Sequence, residues 1–268
     1  MNASKYGAGL GLSHMGAVAL SKSDLYLSLK GWDALRDFDL EATTLWDFPA
    51  QSPGSVEFGD HHFNGVTPAG IVTNLVRRYT RPGDLVVDAL AGSGTTLDVA
   101  RSLGRRVLAF DLAPRRPDII RNDARRLPLP DDSVDLHFAD PPYSDNILYS
   151  DDPACLGRAG CREDSFLESL EAVAREIHRT LKPRHVLGWL ISDEYRRGRF
   201  TPLGFQTFEM LAKYFAPMDV VSVVRRHDRS ANPMWEHRAR RYGFYLRGFK
   251  YLFILRKPDS RVAEGVFE

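Results

Sequence analysis

The sequence predicts a doubly wound α/β fold: a mostly parallel sheet covered by helices on both faces. Three observations predict it. From residue 66 onward, helical and strand hydrophobic periods alternate. A buried strand runs into a glycine-rich turn and then a helix at residues 85–103, the unit from which such sheets are wound. The chain of 268 residues, 43% hydrophobic and 26% charged, is long enough for one large domain with its own core.

Taken in order, Val66 to Tyr79 reads as an amphipathic helix opened by Thr67-Pro68, with Val66, Ile71, Leu75 and Val76 on one side and Arg77-Arg78 on the other. It stops at the turn Arg81-Pro82-Gly83-Asp84. Residues 85–89 form a buried strand, Thr95 to Leu103 a helix ended by Gly104, and residues 106–111 and 134–139 two further strands. A helix from Ser165, with Glu168 placed for a capping box, runs to Leu181. A strand at 186–191, a helix at 202–215 and strands at 218–224 and 251–255 complete the pattern. Residues 1–60 are less regular and read as a lead-in.

The formal net charge of +1 excludes a histone-like polycation and an acidic solvating tail. It hides a segregation. Residues 195–257 hold 14 basic and 4 acidic residues, whereas residues 1–194 carry a net −7. The C-terminal quarter is therefore suited to an anionic partner, and Arg supplies 29 of the 36 basic residues. Cys155 and Cys161 exclude a disulfide scaffold and have no metal or redox spacing, which points to a reducing cytoplasm. No segment reaches the ~20 apolar residues of a membrane span, and the stretch Gly7 to Leu20 lacks the marks of a signal peptide.

The most informative local feature is Asp88-Ala89-Leu-Ala-Gly92-Ser-Gly94-Thr95-Thr96, a strand end followed by a turn whose glycines let backbone amides approach a ligand. A dinucleotide fingerprint would need a third Gly where Leu97 stands, and a phosphate loop would need an absent G-K-[ST]. What remains suits a cofactor without a phosphate, S-adenosylmethionine. Asp111, at the end of the next strand, is placed to bridge two ribose hydroxyls, and Asp123, followed by Ala124, to accept from an adenine amine. Any one of these acids could equally cap a helix or sit in a solvated turn; three at successive strand ends beside the turn are harder to dismiss.

Asp140-Pro141-Pro142-Tyr143 follows the third strand directly. Two prolines cannot continue a central strand, so the Asp140 carboxylate and the Pro141 carbonyl are held at the sheet edge. That pair of acceptors suits a planar NH2, whose lone pair is delocalised until two hydrogen bonds help it become nucleophilic. Tyr143 offers a face for an extruded base, worth about 1–3 kcal/mol by stacking.

With these motifs the chain resembles the S-adenosylmethionine-dependent amino-methyltransferases of nucleic acids, the adenine-N6 and cytosine-N4 methylases. The resemblance covers residues 45–257 and rests on Trp46-Asp-Phe-Pro49, Pro68, Asn74-Leu75, the glycine turn, Asp111, Asp123 and Asp140–Tyr143. It implies a doubly wound, seven-stranded, class I (Rossmann-like) sheet with a terminal antiparallel strand, in a methyltransferase domain at 61–258. The lead-in 1–60 would pack on that domain, 225–248 would be a basic nucleic-acid-contacting insertion, and 259–268 a flexible tail. It also implies that His62, Phe63, Thr67 and Pro68 close over the methionine end, that Asp88 and the turn hold its backbone, that Asp111 and Leu112 meet the ribose, and that Asp140 to Tyr143 are catalytic. The motif order looks like a circular rearrangement of many family members, and the aspartate in D-P-P-Y leans toward adenine.

No long target-recognition segment is visible. Arg225, Arg226, Arg229, Trp235, Arg238, Arg241 and Arg247 mix cations with aromatics, as a nucleic-acid grip would; a solvated helix with its aromatics in the core is an equal reading. So small a surface suits a short DNA site, a homodimer that shares the work, or a structured RNA read by shape. The expected function is methyl transfer to a nucleobase amine in DNA, with the same chemistry on ribosomal RNA cytosine as the alternative. Asp60-His61-His62 has no further ligand at useful spacing, so no metal is expected. The cysteines stand apart from the Pro-Pro turn in sequence, which argues against carbon-5 methylation by a thiolate.

Overall fold

A computed structural model describes residues 22–145, 147, 149–226 and 232–259, with side chains from residue 29 onward. Arg229, the tail from residue 260 and the stretch 7–20 lie outside the described residues. The elements in chain order are α1 (Lys22–Arg36), β1 (Leu45–Trp46), α2 (Ala69–Tyr79), β2 (Leu85–Asp88), α3 (Thr95–Ser102), β3 (Arg106–Asp111), β4 (Ile120–Arg121) and β5 (Val134–Ala139). There follow α4 (Asp164–Thr180), β6 (Leu181–Ile191), β7 (Glu194–Arg196), β8 (Arg199–Thr201), α5 (Leu203–Ala212), β9 (Ala216–Val224), α6 (Pro233–Tyr242) and β10 (Phe249–Arg256).

Strand alternation explains the two helical layers, since successive side chains leave a strand on opposite faces. Val87, Leu187, Trp189, Ile191 and Phe253 join α4 and α5 in one core. Val86, Leu136, Val186, Leu190 and Leu252 join α2 and α3 in the other. Gly188 lets α2 come close: a Cβ there would stand 2.5 Å from Leu75 Cδ1. Each large apolar side chain buried this way contributes about 1.5–3 kcal/mol.

The main sheet runs β1-β9-β10-β6-β5-β2-β3-β4. Among the described strands of this sheet only β10 is antiparallel, pairing with β6 and β9, so the last described strand lies inside the sheet rather than at its edge. Among the described residues the sheet has eight strands rather than seven, because two-residue strands close each edge, β1 beside β9 and β4 beside β3. Such short strands leave no alternation to read. β6 starts at Leu181 rather than 186, with an irregular register before Leu136 and Val186 and a left-handed Arg184 (φ 65°). α4 begins at Asp164 with no side-chain cap bond, so the capping box at Ser165 does not form; the Glu163 carboxylate instead accepts from the Gly160 amide at 2.9 Å.

The lead-in is more regular than expected. α1 lies against α3, where Gly31 leaves room for Ser102. Arg77 donates to the Phe38 carbonyl at 2.6 Å, and the Asn74 side chain accepts from the Glu41 amide at 2.9 Å, tying the lead-in to α2. No described helix is long and apolar enough to cross a membrane.

Because β2, β3, β5 and β6 are parallel, their carboxyl ends share one edge. Chain order reverses between β2 and β5, and the crevice outside such a switch point is where doubly wound sheets bind ligands. Asp88 and Asp140 flank it.

Candidate active site

One cavity of about 1310 Å³ opens at this edge. Its floor is the glycine turn. Gly92 (φ 47°) and Gly94 (φ 85°) are left-handed, a conformation glycine adopts without Cβ strain. A Cβ on Gly92 would meet the Phe63 ring at 2.9 Å, and one on Gly94 would meet Arg116 at 2.6 Å. Arg116 forks onto Asp98 at 2.7 Å and also holds Asp118 at 2.8 Å. Asp98 in turn accepts from the Gly59 amide at 2.8 Å, and the Asp60 amide donates to the Ser93 carbonyl at 2.9 Å. These bonds clamp the 59–63 segment to the turn.

Asp88 is 3% exposed; it accepts from the Leu90 amide at 3.0 Å and the Thr96 hydroxyl at 2.6 Å. Burial, reinforced by Asp140 and Asp111, pushes its carboxyl up to about 7. Asp111 accepts from the amides of Gly92 and Ala113, each at 2.9 Å, so it locks the turn to the end of β3. Asp123 is gripped by the Arg125 guanidinium at 2.7–3.1 Å, and the Arg125 amide adds a bond at 3.0 Å. An adenine amine reaching Asp123 must share a carboxylate that Arg125 already occupies on both oxygens.

At the end of β5, the Asp140 carboxylate receives two hydroxyls, Tyr143 on Oδ1 and Thr67 on Oδ2, each at 2.7 Å. Burial and the neighbouring Asp140 hold the Tyr143 phenol well above its ordinary value, so it stays a donor. The Lys250 ammonium lies 5.2 Å from the Tyr143 ring centroid. A base stacked on that side must displace it.

Of the expected cofactor residues, Phe63, Thr67, Asp88, Ala89, Gly92, Thr95, Thr96, Asp111, Leu112, Asp123 and Ala124 line the cavity together with Asp140 to Tyr143. Three do not. His62 is exposed, and its amide donates to the Asp60 carboxylate at 2.9 Å. Pro68, lacking an N–H, stands at the N-cap of α2, and Gly94 at the N-cap of α3 beneath Arg116.

Of the expected nucleic-acid residues, Arg225, Trp235 and Arg247 line the same cavity. Arg226 instead pairs with Asp47. Arg238 lies over Trp235 at 5.1 Å and Arg241 over Tyr242 at 5.7 Å. α6 is a solvated helix burying only Ala239, and its aromatics stay out of the core. Tyr242 is 66% and Tyr245 84% exposed.

Sequence reasoning missed several lining residues. Tyr149 stacks on Phe63 at 5.7 Å, and Lys250, Asp193 and the hairpin β7–β8 complete the wall. Cys155 also reaches the cavity, although it stands apart from the Pro-Pro turn in sequence. The run Arg196-Arg197-Gly198-Arg199 carried the one available signal, a turn dipeptide among cations. Among the described residues no group of three His, Cys, Asp or Glu could hold a metal.

The lining fits the expected S-adenosylmethionine. Around the glycine turn it offers carboxylates for amines and hydroxyls and aromatic faces beside them. The cations of the described lining, Arg196, Arg197, Arg225, Arg247 and Lys250, come from the hairpin, the end of β9 and the approach to β10, and none from the turn, as a phosphate-free ligand requires.

Residues 19–122 match the family model described as DNA methylase, a stretch that includes Asp88, the glycine turn and Asp111 and ends before Asp140. The Type II methyltransferase M1.MboII of Moraxella bovis is 40% identical over 45 residues, 17% of this chain and 17% of that protein. Among solved structures, TrmN from Thermus thermophilus is 20% identical, with 72% of this chain and 50% of that one covered and a TM-score of 0.49. The [4+2]-cyclase SpnF is 18% identical, with 87% and 94% covered and a TM-score of 0.48. The chain thus spans 17% of the length of the curated relative and half that of TrmN. Over residues 19–122 it matches the DNA methylase family, which is the family that its motifs resemble.

Proposed function

We propose that the chain transfers a methyl group from S-adenosylmethionine to the exocyclic amine of a nucleobase in DNA, adenine N6 or cytosine N4. The observation that carries this reading is the Asp140 carboxylate, fixed by the Thr67 and Tyr143 hydroxyls in the cavity that also holds Asp88 and Asp111. The bound cofactor supplies a methyl group already activated by its positive sulfur. Asp88 and the glycine turn hold the amino-acid end, and Asp111 meets the ribose with the lone pairs its two amide bonds leave free.

Asp140 accepts a hydrogen bond from the amine, orients its lone pair and offers a path for the proton it must lose. Holding both partners in line and excluding water supply most of the rate. A structured RNA is the second reading, favoured by the exposed rings of Tyr242 and Tyr245, which suit unpaired bases.

The test is nucleoside mass spectrometry after the protein has acted on genomic DNA and on total RNA with isotope-labelled cofactor. Labelled N6-methyladenine or N4-methylcytosine in DNA is expected. Label confined to RNA selects the second reading, and label in neither overturns both.

A further inference from the structure

The hairpin β7–β8 breaks two local rules at its tip. Its two-residue loop, Arg197 (φ 52°) and Gly198 (φ 74°), is left-handed at both positions, a turn that favours Asn-Gly, yet an arginine stands first. The register also sets Arg196 directly opposite Arg199, a like-charge pair that weakens a ladder. Arg196 has Asp145 as a counter-ion. Arg197 has no hydrogen-bond or ion-pair partner among the described residues, is exposed, and lines the cavity mouth. Strain and like charges gathered at one tip beside a site point to a function that offsets their cost.

The hairpin is also anchored to the aromatic wall. Tyr195 and Phe200 pair across the strands. The Arg247 guanidinium lies over both rings, 5.9 and 5.2 Å from their centroids. Its Nε is buried with no acceptor among the described residues. Tyr195 further stacks on Phe244 at 5.4 Å and 11°. These ring contacts anchor the tip to the aromatic wall beside the cavity.

We infer that this hairpin is a phosphate-gripping arm: Arg197 and Arg199 contact the phosphodiester backbone beside the target base, while Arg247 fixes the arm to the aromatic wall. The inference rests on the nucleic-acid reading above and adds to it a contact element outside the 225–248 segment. A phosphate takes guanidinium donors bidentately, which explains arginine at a turn position that ordinarily takes asparagine. Backbone contacts of this kind set position and affinity without reading sequence.

Arg197→Gly tests the arm, because glycine suits the left-handed turn and removes only the cation, and Arg197→Lys restores the charge. Binding of short labelled oligonucleotides, single-stranded and duplex, DNA and RNA, is followed by fluorescence anisotropy across a salt series. The expected result is a several-fold weaker affinity for every sequence, with a salt slope shallower by about one for Arg197→Gly. Arg197→Lys should recover most of the slope, and the melting temperature of the glycine variant should be unchanged or higher. Preference among the four probes identifies the source of the phosphates.

Unchanged affinity and slope in Arg197→Gly, with a wild type that binds and methylates nucleic acid, overturns the arm and leaves the methyl-transfer reading standing. A wild type that neither binds nor methylates any nucleic acid overturns both.

Discussion

The two walls of the cavity are built on opposite physical plans. On the acidic wall each carboxylate is locked by short bonds from the chain itself: Asp88 by Thr96 and a backbone amide, Asp111 by two amides, Asp140 by two hydroxyls. On the cationic wall the Arg247 guanidinium rests on the Tyr195 and Phe200 rings, and in α6 Arg238 and Arg241, themselves outside the lining, lie on Trp235 and Tyr242. Fixed acceptors in a partly desolvated crevice are preorganised for a small ligand and a reacting amine. Long cations on solvated aromatics adapt to an extended, charged partner. Under the proposed function, chemistry falls to one wall and docking to the other, and substitutions can separate them.

The largest effect is expected at Asp140. Asp140→Ala should lower methyl transfer by at least about a hundredfold, the lower bound for a group that handles the reacting proton. Cofactor affinity by calorimetry should stay near the wild-type value. Equal loss of both would move Asp140 into the cofactor site and break the division within the acidic wall itself.

Thr67 sharpens the same boundary. The resemblance places it over the cofactor, whereas its hydroxyl donates to Asp140 across 73 positions of sequence. A hydrogen bond to a charged group is worth about 1.5–3 kcal/mol, so Thr67→Val should lower kcat by about tenfold or more. Thr67→Ser should recover most of it. A raised cofactor Kd with kcat intact would return Thr67 to the role that the resemblance implies.

The Thr67 bond illustrates what the sequence could and could not disclose. Asp88, Asp111 and Asp140 were legible because each follows a buried strand, and parallel strands bring their ends to one edge whatever the loops do. The partners of those acids were not. Thr67 is expected over the cofactor rather than on Asp140, and Tyr149 reaches the cavity from a loop that leaves no local period. β1 and β4 are not legible because two residues cannot show alternation, and α1, in a lead-in of irregular pattern, owes its place to packing through Gly31 against α3. His62 and Pro68 stand outside the lining for a different reason: adjacency in sequence to Phe63 and Thr67 does not carry a side chain into a pocket when its neighbour already faces it.

The acidic wall has a pH signature. With its carboxyl pushed up to about 7, Asp88 is half ionised near neutrality. If its charged form holds the cofactor ammonium, cofactor affinity should fall below pH 7 by up to about tenfold per unit, and Asp88→Asn should flatten the profile. Folding stability moves the other way for this group. The folded value lies above the ordinary 3.8, so its contribution is full below 3.8 and is lost as pH rises through about 7. Buried His137 opposes it. Its folded value of about 3, depressed by burial from 6.5, gives a contribution present above 6.5 and lost as pH falls toward 3. Calorimetric melting across this range should show a steeper loss of stability on acidification in Asp88→Asn than in the wild type, since the opposing gain is gone.

The smallest expected effect tests whether the cationic wall is as uniform as its composition suggests. Arg238 and Arg226 both belong to the basic segment, but Arg238 sits on a ring with its charge unpaired among the described residues, while Arg226 is already neutralised by Asp47. A phosphate reaching Arg238 releases counter-ions; one reaching Arg226 must first compete with a carboxylate. Arg238→Ala should therefore weaken nucleic-acid binding several-fold and reduce the salt slope by about one. Arg226→Ala should change neither and instead loosen the link between the end of β9 and the lead-in, visible as faster hydrogen exchange around Asp47. If Arg226→Ala weakens binding as much as Arg238→Ala does, the ion pair opens in the complex, and docking extends past the cavity mouth to the edge of the sheet where β1 pairs with β9.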